Sequence, residues 1–347
     1  MDSLSVQPGR LLYRAMIGVG GIGAGSFFAL NDNRTLGREE SRLGHFLDRR
    51  DYCKLHIISH YVQTLLGPAF RTIPIGAVGA DETGRRLFSE MEQAGLLMRY
   101  VRVMPGASTL FSFCIVYPDG SVCNVTTDNS ACSRVDPGFV RRAAPMFAEF
   151  AGRGIALAAP EVALRTRKAL LDLGTEHGFL RVASFTVEEM PTAARSGLIE
   201  RVDLLAVNLE EAAAVPGRDY AGDSPEDIVR TATAELRKRK PDILLSVTAG
   251  AKGSWCWDGS EIRHTPICKA EVIGTAGAGD AHLAGVIVAL ATGLSLDEAH
   301  QLGALAGGLS VTSPHTINKG IHKESLSEFA GRSGCLIADG VRALLEG

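Results

Sequence analysis

The run Gly274-Thr275-Ala276-Gly277-Ala278-Gly279-Asp280 opens an apolar stretch, Ala281 to Ala291, in which alanine and glycine alternate with larger aliphatics. Glycines at the first turn of a buried helix leave backbone N–H groups uncovered, and those groups together with the helix dipole attract an anion. A carboxylate beside bound negative charge makes electrostatic sense when it takes a proton from the nucleophile attacking that anion. Asp280 is therefore a candidate general base, and the amides of Gly277, Ala278 and Gly279 form a candidate anion hole. The competing reading is a tight turn whose aspartate only caps a helix.

Gly277-Ala278-Gly279-Asp280, followed by Ala281, Leu283, Ala284 and Gly285, resembles the second signature of the PfkB, or ribokinase-like, carbohydrate kinases. Three further motifs resemble that family in its order. They are Val78-Gly79-Ala80-Asp81-Glu82-Thr83-Gly84 with Leu87 and Ala94-Gly95-Leu96, Asn208-Leu209-Glu210-Glu211 after the apolar run Leu204 to Val207, and Val247-Thr248-Ala249-Gly250-Ala251-Lys252-Gly253. Together the motifs span about residues 74 to 320. The resemblance implies a doubly wound, mainly parallel α/β sheet flanked by helices, with a small β lid. It also implies transfer of the γ-phosphoryl group of ATP, with Mg²⁺, to a hydroxyl of a sugar or similar small polar acceptor.

On that resemblance Asn208 and Glu211 organise the metal and phosphates, Glu211 through water, while Thr248, Gly250, Gly253 and Thr275 lie on the nucleotide side. In related kinases the loop at the place of Ser313-Pro314-His315-Thr316-Ile317-Asn318 lies next to the nucleotide and helps bind a monovalent cation, which adds Asn318 to the nucleotide side. Gly274 stands where an acid is usual, which puts that cation in question. Family members also carry an acid near the end of the first strand and a glycine pair followed by asparagine, all holding sugar hydroxyls. This chain has Ala24-Gly25 and Leu55-His56-Ile57-Ile58-Ser59-His60 there. An unpaired buried polar group costs on the order of 1 to 3 kcal/mol, so these departures point to a different acceptor, with ribose and fructose expected to be poor ones.

The elements that must position these residues follow from hydropathy. Length of 347 residues and 46% apolar content allow a sizeable core. From about residue 136, short aliphatic runs at Gly154 to Ala158, Leu180 to Ala183, Leu204 to Val207 and Ile243 to Val247 alternate with amphipathic stretches such as Glu161 to His177 and Pro225 to Lys240. That alternation predicts βαβ units around a sheet buried on both faces. Pro118-Asp119-Gly120-Ser121 joins Leu110 to Tyr117 with Val122 to Thr127 as a hairpin, and Trp255-Cys256-Trp257-Asp258-Gly259-Ser260 starts another. Ala15 to Leu30 reads as a first strand and loop, and Leu43, Phe46 and Leu47 predict an amphipathic helix within Arg34 to Lys54, a segment that falls where the family has lid strands. Without a linker or repeat, residues 1–347 read as one domain, with lid elements within about 24–60 and 97–128.

Net charge of −3 and a pI near 6.3 give no general attraction to nucleic acid or an anionic membrane. No apolar stretch reaches the roughly 20 residues that cross a bilayer. Seven cysteines, odd in number and without C-x-x-C, argue against a disulfide framework and a clustered zinc site, so the expected compartment is cytoplasmic and reducing. Exposed strand edges leave room for a homodimer. Two other function classes stay in view: a nucleotide-binding protein of the same fold without turnover, and a nicotinamide-dependent enzyme suggested by Gly18-Val19-Gly20-Gly21-Ile22-Gly23, which matches G-x-G-x-x-G.

Overall fold

The computed structural model describes residues 3, 4, 6, 8–217 and 223–346. Its strands are β1 (Ala15–Val19), β2 (Gly23–Leu30), β3 (Gly44–Tyr52), β4 (Arg71–Gly79), β5 (Val101–Met104), β6 (Leu110–Val116), β7 (Val122–Thr126), β8 (Gly154–Ala158), β9 (Leu180–Ala183), β10 (Leu204–Asn208), β11 (Leu244–Thr248), β12 (Ser254–Trp257) and β13 (Ile262–Thr265). Among the described residues these form a nine-stranded sheet in the order β13-β12-β11-β10-β9-β8-β1-β4-β5 and a four-stranded sheet in the order β3-β2-β6-β7. The large sheet is parallel except at its β11-β12-β13 edge, where the second expected hairpin lies.

Successive residues of β1 point to opposite apolar layers: Met16 packs into one cluster, Ile17 and Val19 into the other. Both faces are therefore covered by helices, as uniform apolar strands require. The strand order reverses at β1, which is flanked in parallel by β4 and β8. Chains leaving adjacent strands there turn in opposite directions and open a crevice at the carboxyl ends, the usual place for a ligand in such sheets. Gly20 and Gly21 follow β1 and Glu161 follows β8, so both segments border that crevice.

Two expectations are corrected. Ala15 to Leu30 is not one strand and loop but β1 and β2, the second belonging to the small sheet. Because Gly20-Gly21-Ile22 leads into a strand, the G-x-G-x-x-G segment has no helix N-terminus to receive a pyrophosphate, and the dinucleotide reading loses its structural basis. The predicted helix within Arg34 to Lys54 is also absent: residues 44–52 form β3, paired antiparallel with β2. Leu43 and Phe46 stay 85% and 65% exposed, so no core receives a helical face. Residues 47, 49 and 51 are instead half-buried and 46, 48 and 50 exposed, the period of a strand. Phe46 rests edge-on against Phe28 of β2 and Phe113 of β6, at ring separations of 5.2 and 6.3 Å.

The Leu110 to Thr127 hairpin is present as β6 and β7. Residues 54–66 form a helix that packs against the helix Ala278–Ala291, and so belong to the main body rather than to the small sheet. Cys268 and Cys335 are joined, contrary to the expectation from an odd cysteine count, which limits how many can pair but not which two meet. Among the described residues no helix is long and apolar enough to cross a membrane.

Candidate active site

Gly277 caps the helix Ala278–Ala291 in the left-handed region, φ +81°, and a Cβ there would lie 2.6 Å from the Thr316 carbonyl oxygen. Only glycine fits both constraints. The turn aims the helix N-terminus into a cavity of about 480 Å³. The Ala278 amide donates to Thr275 O at 3.2 Å and the Asp280 amide to Gly277 O at 3.1 Å. At Gly279 a Cβ would meet only Thr248 Oγ1, at an ordinary 3.6 Å, so what this glycine leaves open is the space toward the cavity.

Asp280, with a side chain 15% exposed, is ion-paired with Lys54 Nζ at 3.1 Å. Lys54 heads the helix Lys54–Leu66 and was not found from sequence, since a single lysine before an apolar helix gives no local signal. Burial pulls its pKa down, but the carboxylates of Asp280, Glu211 and Glu161 outweigh burial and hold the ammonium above its ordinary range. A permanent cation thus sits beside the proposed base and lines the same cavity.

Asn208 and Glu211 form a reciprocal cap at the start of the helix Leu209–Ala214: Glu211 N donates to Asn208 Oδ1 and Asn208 N donates to Glu211 Oε2, both at 2.8 Å. Both residues also line the cavity. Burial raises the Glu211 pKa, with the Lys54 charge and the Asn208 amide opposing. Thr248, Gly250, Gly253 and Thr275 line the same cavity, together with the apolar Ile267, Val272, Leu283 and Val311. Asn318 does not. Its amide group donates to Leu309 O at 3.1 Å, and the residue borders a separate recess with Arg50, Tyr52 and Lys319.

Two carboxylates beyond the cavity lining complete the electrostatics. Burial pushes Glu161 up to about 7 and Asp51 up to about 6, and the Asp280 charge adds to both shifts. Neither was singled out from sequence. Glu161 had a usable signal, an acid just past the carboxyl end of an apolar parallel strand, whereas Asp51 was hidden in a segment read as a helix. One buried network was missed as well: His282 Nε2 and His300 Nδ1 each lie 3.1 Å from Ser254 Oγ, with His282 and Ser254 at the cavity wall.

Residues 61–323 match the family described as pfkB family carbohydrate kinase. The chain belongs to this family. As a PfkB kinase it is a phosphotransferase. It is 23% identical over 241 residues to the ribokinase of Lactococcus lactis subsp. lactis, covering 68% of this chain and 72% of that one. It is 26% identical over 306 residues to the bifunctional protein HldE of Hyphomonas neptunium, covering 83% of this chain and 59% of HldE. The fold matches a ribokinase of Cryptococcus neoformans var. grubii in complex with ADP at TM-score 0.73 and 18% identity, covering 91% of this chain and 99% of that one. It likewise matches a nucleoside kinase of Burkholderia thailandensis in complex with inosine at TM-score 0.73 and 19% identity, covering 92% and 98%. The ribokinase-like fold of this PfkB kinase is thus established over nearly its whole length.

Proposed function

We propose that this carbohydrate kinase transfers the γ-phosphoryl group of ATP to a hydroxyl of a sugar or similar polyol, with Asp280 as the general base. The observation that carries the reading is Asp280 itself. It stands in the first turn behind a left-handed Gly277, lines a cavity that also has apolar walls, and is paired with Lys54. The helix N-terminus and Gly279 hold the transferring group, and Lys54 offsets charge that builds up as the acceptor oxygen attacks. Asp280 accepts the acceptor's proton. The cavity wall around Thr248, Gly250, Gly253 and Thr275 takes the nucleotide.

Mg²⁺ fits this donor set as an ion held mainly by phosphate oxygens and water. Among the described residues no three carboxylate, thiol or imidazole groups converge to cage a metal, whereas Glu211 lines the cavity and is suited to order a metal-bound water. Bound there, Mg²⁺ would neutralise the β- and γ-oxygens. The small sheet, continuous with one domain, serves as the lid that keeps water from the transferring group.

Asp280→Asn tests the reading. It is expected to lower kcat by roughly 10²- to 10⁴-fold while ADP binding, followed by calorimetry, is retained. Near-full activity of this variant would remove Asp280 from the mechanism and with it the proposal.

A further inference from the structure

Glycines within and just after the segment that imitates a dinucleotide fingerprint have a different use. A Cβ on Gly21 would lie 2.3 Å from Glu161 Oε2, and a Cβ on Gly25 would lie 2.3 Å from Asp51 Oδ2. Each glycine therefore keeps a space clear that a carboxylate from another element occupies. Glu161 arrives from the loop after β8, and Asp51 from β3, where it pairs directly with Gly25 across the ladder.

Little of the fold depends on these two carboxylates. Glu161 Oε2 is buried without a partner, on a residue held at φ +73°, where non-glycine residues are seldom found. Asp51 is half-buried, and its Oδ2 is met by the Cys114 thiol at 3.8 Å, a weak donor, with the Tyr52 amide and the Thr316 hydroxyl also favouring its charged form. Buried acceptors in this condition gain most from a ligand that brings hydrogen-bond donors. Asp51 stands three residues before Lys54, which pairs with Asp280, and its neighbours Arg50 and Tyr52 bond Thr316, whose carbonyl lies over Gly277. Both carboxylates feel the charge of Asp280 and neither lines the nucleotide cavity, so they sit near the proposed base but outside that cavity. That is where an acceptor hydroxyl must lie. An anionic acceptor would be repelled by the Asp51 carboxylate, and Lys54 is already committed to Asp280.

We propose that Asp51 is the specificity-determining residue for the acceptor. It binds a hydroxyl next to the one that Asp280 deprotonates, and the acceptor is a neutral polyol. The carboxylate that position 25 lacks is supplied from the adjacent strand, and Glu161 takes a further hydroxyl. This inference rests on the kinase reading above.

The test measures phosphorylation by wild-type protein with ATP and Mg²⁺ of four neutral probes, ribose, fructose, inosine and myo-inositol, and of fructose 6-phosphate as an anionic probe. At least one neutral probe is expected to be turned over in preference to fructose 6-phosphate. Asp51→Asn, nearly isosteric, is expected to raise the KM of that probe roughly 10- to 100-fold, with the KM of ATP and the thermal midpoint unchanged, and Asp51→Glu to restore part of the affinity. A probe KM within twofold of wild type in Asp51→Asn would overturn the proposal. So would a preference for fructose 6-phosphate, or failure of all four neutral probes to bind or react while ADP still binds. Absence of ADP binding by the wild-type protein would instead bring down the kinase reading itself, and this inference with it.

Discussion

The turn at Gly277 and the strand segment at Gly25 are both proposed to meet polar ligands, one with main chain and the other with side chains. At Gly277 the left-handed φ, the close Thr316 carbonyl and the helix N-terminus all belong to the backbone, so the function is tied to one place in the chain. At Gly25 and Gly21 the polar atoms are carboxylates carried in by β3 and by the loop after β8. A carboxylate is needed at a point in space, and any element that passes the point can carry it. On the proposed reading, the nucleotide half of this kinase keeps a readable signature while the acceptor half is rebuilt around the same chemistry.

The sharpest way to break that contrast is Gly277→Ala. The new methyl group would be driven toward Thr316 O by a backbone that L-residues adopt at a cost of about 1 to 2 kcal/mol. Displacing the turn by a fraction of an ångström is expected to lower kcat/KM for ATP by at least about 10²-fold in steady-state assays. A variant that keeps a tenth or more of the activity would show that main-chain geometry does not define this half.

A smaller effect distinguishes the carboxylate half. Burial raises Glu161 from 4.5 to about 7, so the folded protein holds this proton more tightly than the unfolded chain does. Its contribution to stability is fully present below the unfolded pKa of 4.5 and is lost as pH rises to about 7. The ligand-free thermal midpoint is therefore expected to fall by a few degrees between pH 5 and pH 7.5, and Glu161→Gln to flatten the decline. An equally steep decline in the variant would assign the proton elsewhere. Smallest of the three, Glu211→Gln preserves a group able to close the cap with Asn208 and removes only charge. The Mg²⁺ concentration for half-maximal rate is expected to rise several-fold, and an unchanged Mg²⁺ profile would leave Glu211 a capping residue alone.

What could be read from the chain divides along the same line. β8 to β11 and the Ala278–Ala291 helix depend on local periodicity and were anticipated, whereas the Asn208–Glu211 cap, equally local, was not. Nor was β3, because Leu43, Phe46 and Leu47 satisfy a helical spacing locally and only pairing with β2 makes the segment a strand. Asp51 was lost with it. Lys54 meets Asp280 across 226 positions of sequence, a contact that no spacing rule encodes. Asn318, expected beside the nucleotide from its place in a loop, turns its amide to Leu309 O instead.

Thr316 has a consequence for how the two substrates are sensed. Its N–H donates to Arg50 O at 3.1 Å and its Oγ1 accepts from Tyr52 N at 3.0 Å, so it grips β3 on both sides of Asp51. Its carbonyl, on the same residue, is the atom pressed over Gly277. If the Gly277 turn holds phosphate as proposed, a ligand that draws the Asp51 strand inward would load that turn, and a phosphate seated there would steady the strand, by the same free energy in either direction. On the proposed kinase reading this one threonine would give substrate synergism: a nucleotide bound without its acceptor would meet an unfinished site, restraining idle hydrolysis until both partners are present.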